Sequence, residues 1–344
     1  MVLSAVLLII IATTTVYVGS KLSAGNSMIP LEAHEHTEMT MTQALIIPVS
    51  ASIFLITLFF YFAYMQYFLI GILVMVGASA LFQLTCITLQ FLCCKMNSQL
   101  VLVLSLCFTI FAVLDWATTG DLVMHNLLGC SLCILFISTL RFPSLKVAAV
   151  CLLLLVVYDI FWVFFSEHFF HKNVMVEVAT KVASNPVYEM GQRFHIDALK
   201  YVSPTVELPI KLMIPNYGIQ KMAMLGLGDI ALPGALVAFA LRCDLDINSD
   251  IHIKNTENDL EIGKSSHHIS TLPIKIATVL FNYSITGYFI GLIAAFIGNK
   301  VTGMPQPALI YLVPGVLIFL IGKAWHIGQL KNIWMGSSKT DTSV

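Results

Sequence analysis

The sequence predicts an all-α polytopic membrane protein with nine transmembrane helices. Three observations carry that reading. Of the 344 residues, 58% are hydrophobic and only 11% charged, against roughly 25% charged in a soluble domain. Mean hydropathy is +0.87. Apolar runs of about 20 residues, the length that crosses a bilayer, recur at 2–20, 44–64, 67–92, 99–117, 122–140, 147–166, 219–241, 276–298 and 307–326.

The first run, Met-Val-Leu-Ser-Ala-Val-Leu-Leu-Ile-Ile-Ile, lacks the basic start of a cleaved signal peptide. It reads as a retained span that also acts as a signal anchor. The second and third runs are nearly continuous, and the break between them is placed near Gln66. Orientation follows from basic residues in the short connections. Lys21, Lys95, Arg141 and Lys146 fall in odd-numbered gaps, Lys323 and Lys331 lie on the same side at the C-terminus, and Lys300 alone stands opposite. The N-terminus is therefore expected in the lumen and the C-terminus in the cytosol. One membrane domain is expected over 1–335, with a catalytic core at about 147–326. Residues 167–218 form a long lumenal loop, 242–275 a polar and flexible cytosolic loop, and 336–344 a cytosolic tail.

A net charge of −1 gives no sign of a nucleic-acid partner. Membrane lipid is the expected surround. The eight cysteines do not read as a disulfide framework. Cys130 and Cys133 can share a helix face, but a metal site would need at least two more ligands. His34-Glu35-His36 and His267-His268 read as solvated loops, so no metal is expected. Gly287 and Gly291 in the eighth span have the spacing of close helix packing.

Two aspartates stand inside apolar runs. Asp159 lies in Leu152-Leu-Leu-Leu-Val-Val-Tyr-Asp-Ile-Phe-Trp-Val-Phe-Phe165, and Asp229 in Met224-Leu-Gly-Leu-Gly-Asp-Ile-Ala-Leu-Pro-Gly234. A charge at mid-bilayer costs roughly 3 kcal/mol on insertion scales, so such residues mark functional sites. Far apart in sequence, the two can meet only by packing of different helices. Two carboxylates in contact do not both ionise cheaply and share a proton instead. That state suits peptide hydrolysis. One carboxylate takes a proton from the attacking water, and the other donates to the carbonyl oxygen. Taken singly, each aspartate also fits a proton- or ion-carrying role. Gly226 and Gly228 remove side chains just ahead of Asp229, so another chain can approach closely. A third element, Gln306-Pro307-Ala308-Leu309, opens the last span.

Together these residues resemble the presenilin and signal peptide peptidase family of intramembrane aspartyl proteases. Its pattern is Tyr-Asp, Gly-x-Gly-Asp and Pro-Ala-Leu, on the sixth, seventh and ninth of nine helices. The matches are Tyr158-Asp159, Gly226-Leu227-Gly228-Asp229 and Pro307-Ala308-Leu309. Arg141-Phe-Pro-Ser-Leu-Lys146, Val174-Met-Val-Glu-Val-Ala-Thr180 and Gln306-Pro-Ala-Leu-Ile-Tyr-Leu-Val-Pro314 are similar to the signal peptide peptidase branch, as is the orientation. The wording is closest to the signal peptide peptidase-like proteins of the Golgi and endosomes, with the endoplasmic reticulum as the alternative.

The resemblance implies a presenilin-like fold and hydrolysis within the spans of single-span, type II membrane proteins or signal peptides. Asp159 and Asp229 would be catalytic. Tyr158, Gly226, Leu227, Gly228, Gln306, Pro307, Ala308 and Leu309 would shape the cleft. It implies no cofactor and no obligate partner subunit, and leaves a homo-oligomer open. A helical substrate must unwind to be cut, and its bared backbone needs new hydrogen-bond partners. Leu208-Pro-Ile-Lys-Leu-Met-Ile-Pro215 is a candidate receiving strand, with a plain loop as its alternative. The rival functions are a proton- or ion-coupled transporter built on the same aspartates and a silent scaffold that binds spans without cutting.

Overall fold

The computed structural model of the chain describes residues 2–25, 39–93, 97–195, 202–216, 222–261, 278–303 and 306–336. The motifs His34-Glu35-His36 and His267-His268 lie outside these residues.

The long helices are α1 (Val2–Ala24), α2 (Met41–Leu92), α3 (Ser98–Thr119), α4 (Leu122–Thr139) and α5 (Leu145–Ile160). A π turn (Phe161–Phe165) and the short α6 (Ser166–Phe170) prolong α5. The segment up to the seventh expected span holds α7 (Val174–Thr180), α8 (Pro186–Arg193) and two antiparallel strand pairs, β1 (Ala183–Ser184) with β2 (Thr205–Val206) and the hairpin of β3 (Lys211–Pro215) with β4 (Met222–Gly226). Then follow α9 (Leu227–Glu261), α10 (Val279–Thr302), α11 (Leu309–His326) and α12 (Leu330–Met335).

Seven helices among the described residues are long and apolar enough to cross a membrane. They differ from the nine expected runs in two places. The first is α2, a 52-residue helix of about 78 Å, far longer than the roughly 30 Å of bilayer hydrocarbon. Its start lies at the C-terminal end of α4, where the Met39 N–H donates to the Arg141 carbonyl (3.0 Å). By Gln66 it has reached the other end of the bundle. The Gln66 side chain accepts from the Ser184 N–H (3.1 Å), and neighbouring Asn185 donates to the Ala117 carbonyl near the end of α3 (2.7 Å). Gly77 is again alongside Leu128 and Leu132 in the middle of α4. The helix therefore reverses between these points, and Tyr61 (φ −113°, ψ 23°) is where its helical geometry breaks. The sequence places the break a few residues later, at Gln66.

The second difference is α9. Helix begins only at Leu227, because Met222–Gly226 is a strand paired with Lys211–Pro215. A short apolar run does not distinguish strand from buried helix. Asp229, Arg242 and Asp244 punctuate the apolar part of α9, which sets it apart from the seven. The same helix continues to Glu261, so the first part of the expected flexible loop at 242–275 is helical. Local bonds such as Asn248 Nδ2 to the Asp244 carbonyl (2.6 Å) support it.

The main core joins α1, α4, α5, α9, α10 and α11 through residues such as Leu8, Ile137, Leu152, Leu236, Tyr288 and Leu312. Small residues set its closest approach. A Cβ on Gly287 would lie 2.5 Å from the Gly315 carbonyl oxygen, and one on Gly291 2.8 Å from that of Tyr311, so α10 and α11 meet backbone to backbone. This bears out the packing role expected of that pair. The start of α10 has no side-chain cap of its own. Asp244 of α9, 3% exposed, takes the place of one. Its carboxylate accepts from the N–H groups of Leu280 (3.1 Å) and Phe281 (2.9 Å), which satisfies helix donors otherwise buried without partners.

Candidate active site

Asp159 sits two residues before the π segment, and its place depends on how the chain leaves α5. Ser144 caps that helix, accepting from the Val147 N–H (3.3 Å). The π turn widens the helix and frees carbonyl groups. Ser166 Oγ donates to the Trp162 carbonyl (2.6 Å) and Asn173 Nδ2 to that of Val163 (2.7 Å). Trp162 Nε1 donates to Ser52 Oγ on α2 (3.2 Å), which locks the widened turn against a neighbour. Such π turns recur at functional sites, and nothing in the hydropathy pattern signals this one. Asp159 is 3% exposed, and its Oδ2 has no hydrogen-bond partner among the described residues. A buried carboxylate oxygen without a partner is costly to keep, so its retention points to use.

Asp229 comes from a different local structure. The β3–β4 hairpin pairs Lys211 with Gly226 and Pro215 with Met222. At Leu227 the chain turns from strand to helix. There the Leu227 N–H donates to the Ile210 carbonyl (3.0 Å), and Cys133 Sγ of α4 lies 3.6 Å from the Leu227 carbonyl. Asp229 thus stands in the first turn of α9, where acidic side chains favour the helix dipole. Pro233 lacks the N–H that would bond the Asp229 carbonyl four residues earlier, which loosens that first turn. A Cβ on Gly226 would lie 3.2 Å from Asp229 Oδ2, whereas one on Gly228 would meet nothing within 4 Å. The first glycine makes room for the carboxylate. The second leaves open space beside it.

Asp159 and Asp229 stand on α5 and α9, which pack against each other in the main core. The third element joins them through backbone. Leu309 is the first residue of α11, whose N-terminus carries no side-chain cap. Its N–H faces the Asp159 carboxylate. Pro307 and Leu309 are buried and Ala308 half-buried.

The other expected cleft residues also make contacts of their own. The Tyr158 ring packs on Trp162, centroids 6.4 Å apart, in a cluster with Leu55 and Leu58. The Leu227 side chain packs toward Gly129 of α4. Gln306 accepts from the Tyr311 hydroxyl (2.6 Å), and both side chains press on Gly298 of α10. The structure thus brings Gly226 to Asp229 and Leu309 to Asp159, while Tyr158, Leu227 and Gln306 also pack on Trp162, Gly129 and Tyr311. Sequence reasoning missed the α4 residues that hold the hairpin, His125 and Asn126. Their only signal is a polar pair just inside an apolar run. Among the described residues, no group of three or more His, Cys, Asp or Glu side chains could hold a metal ion.

A helical, multi-pass membrane protein with an aspartate on each of two packed core helices is the class that this geometry defines. The family model described as signal peptide peptidase matches residues 32–340. Signal peptide peptidase-like 1 of Oryza sativa subsp. japonica is 33% identical over 318 residues, which cover 86% of this chain and 82% of the relative. The protein of the same name from Arabidopsis thaliana is 36% identical over 317 residues, 86% of this chain and 81% of the relative. Signal peptide peptidase-like 2A of Mus musculus is 28% identical over 265 residues, 72% of this chain but 41% of the relative. The chain belongs to the signal peptide peptidase family, a family of intramembrane proteases acting on transmembrane substrates.

Proposed function

We propose that the chain is an aspartyl endopeptidase that cuts single-span, type II membrane proteins or signal peptides within the membrane, with Asp159 and Asp229 as its catalytic pair. One observation carries the reading: Asp159 of α5 and Asp229 of α9 stand on helices packed in one apolar core, the first beside a helix N-terminus and the second beside two glycines. The pair holds one proton between them. Its ionised member removes a proton from water as the water oxygen attacks the peptide carbonyl. The protonated member donates to the carbonyl oxygen. Collapse of the tetrahedral intermediate breaks the C–N bond, and the proton passes to the leaving amine.

The substrate reaches this pair as an added strand. The candidate receiving strand of the sequence reading, 208–215, contains β3, but one edge of β3 pairs with β4 and the other is bonded to α4. Among the described residues, the far edge of β4 pairs with no strand. Met222 and Met224 are exposed there, and the strand leads directly to Asp229. A substrate strand on β4 regains the backbone hydrogen bonds it loses on unwinding.

Counting α2 as two passes and α9 as one gives nine passes, with the N-terminus in the lumen and the C-terminus in the cytosol. A Golgi or endosomal membrane is the favoured location and the endoplasmic reticulum the alternative. The transporter reading gains no support from the family match and assigns no role to the far edge of β4. The test is incubation of the purified protein in detergent with a labelled type II membrane peptide, with products read by mass spectrometry. Cuts within the span by wild type, absent with Asp229→Ala, are expected. Equal products from both proteins would overturn the reading.

A further inference from the structure

The side chain of Asn126 on α4 behaves as a piece of a third strand. Its Nδ2 donates to the Met213 carbonyl (2.7 Å), and its Oδ1 accepts from the Met213 N–H (2.9 Å). In an antiparallel pair, the N–H and C=O of one residue point to the same side. Both groups of Met213 therefore face α4, away from β4. Met224, opposite Met213, then turns its own N–H and C=O to the far side of the hairpin. Its exposed neighbour Met222 and Gly226, each two residues away, share that direction.

The latch extends beyond one residue. His125, 1% exposed, places Nε2 2.9 Å from the Lys211 carbonyl, so that nitrogen carries the hydrogen and donates. One turn on, a Cβ at Gly129 would lie 3.3 Å from both Leu212 and Leu227 side chains. Cys133 meets the Leu227 carbonyl. One face of α4 thus holds β3, the hairpin register and the first residue of the helix that carries Asp229. Nothing in the proposed proton transfers uses these groups.

We propose that Asn126 is a positioning residue that selects the scissile bond. It closes the β3 edge, so a substrate strand can join only β4, and it fixes the height of β4 relative to Asp229. A slip of the added strand by two residues presents a different bond to the carboxylates. This rests on the protease reading above. It goes beyond it by naming what sets the cut position.

The test compares wild type, Asn126→Ala, Asn126→Asp and Ser131→Ala on one labelled type II peptide. KM, kcat and product masses are read, with melting temperature recorded alongside. Ser131 is the control, since among the described residues its hydroxyl bonds only to the Leu128 carbonyl of its own helix. Asn126→Ala is expected to raise KM about tenfold, consistent with two lost hydrogen bonds, and to spread the products over neighbouring bonds. Asn126→Asp, which keeps the shape but sets a carboxylate oxygen against the Met213 carbonyl, should do the same at least as strongly, and Ser131→Ala should do neither. A single unchanged cut position in both Asn126 variants overturns the proposal, as does a fall in kcat and melting temperature without any spread. A wild type that cuts no peptide overturns the protease reading and this inference with it. A wild type that cuts, beside variants that do not redistribute the products, overturns the inference alone.

Discussion

Asp159 lies deep in a continuous helical run, walled by α11 and by a π turn that three side chains hold in place. Asp229 lies just past a strand, in a first helical turn loosened by Pro233 and flanked by glycines. One carboxylate is set in a rigid frame. The other is set where backbone is accessible and a further chain can pair. The difference assigns them different duties in the proposed reaction. Asp159 is held within the helical frame, and Asp229 stands beside the strand that receives the substrate. It also separates the two glycines, since Gly226 touches the carboxylate and Gly228 borders empty space.

Substitutions around the two aspartates can break or sharpen that contrast. The largest effect is expected from removing either carboxylate. Asp159→Ala and Asp229→Ala should each reduce cleavage by roughly 10³-fold or more, with the folded protein retained on size-exclusion chromatography. Next comes Gly226→Ala, whose Cβ would displace the Asp229 carboxylate by a few tenths of an ångström. The account expects kcat to fall by roughly 10²-fold with little change in KM or melting temperature. An unchanged kcat would show that the carboxylate has room the structure does not give it.

A smaller effect, of a different kind, is expected at the α10–α11 seam. Gly287→Ala pushes against backbone rather than a side-chain tip, so it should cost about 1–3 kcal/mol of stability. Activity should drop only through the shifted start of α11, by about tenfold. Thermal denaturation in detergent reads the first and the cleavage assay the second. The smallest effect belongs to Gly228→Ala. With open space around it, the added methyl should leave stability unchanged or raise it by up to about 1 kcal/mol. The methyl would still narrow the substrate's path, raising KM about threefold. If Gly228→Ala instead lowers kcat as strongly as Gly226→Ala, the division between the two glycines is wrong.

Much of this was legible in the sequence because the signals are strong and local. Long apolar runs mark helices, and intramembrane aspartates mark a site. The reversal within α2 was read as a break near Gln66, and the helix departs from helical geometry at Tyr61. The hairpin strand β4 was read as helix because five apolar or small residues ahead of a glycine carry no period of their own. The π turn left no trace in Phe161-Trp-Val-Phe-Phe165, since its stabilising partners, Ser52, Ser166 and Asn173, lie apart in sequence. Tyr158 and Gln306 were grouped with the cleft by motif alone. Their side chains also pack on Trp162 and Tyr311, contacts that the motif does not reveal. The role of Asn126 depends on a backbone 87 residues away in sequence, beyond the reach of any local pattern.

The central claim is that Asp159 and Asp229 act as one pair on a tetrahedral centre. The most direct measurement is the affinity of a membrane peptide carrying a hydroxyl-bearing, non-hydrolysable mimic of that centre, against the same peptide without the hydroxyl. The account predicts that wild type prefers the mimic by roughly 10²-fold or more, and that Asp159→Asn and Asp229→Asn each remove the preference while still binding the plain peptide. Equal affinity for both peptides in wild type, or a preference that survives either substitution, would contradict it.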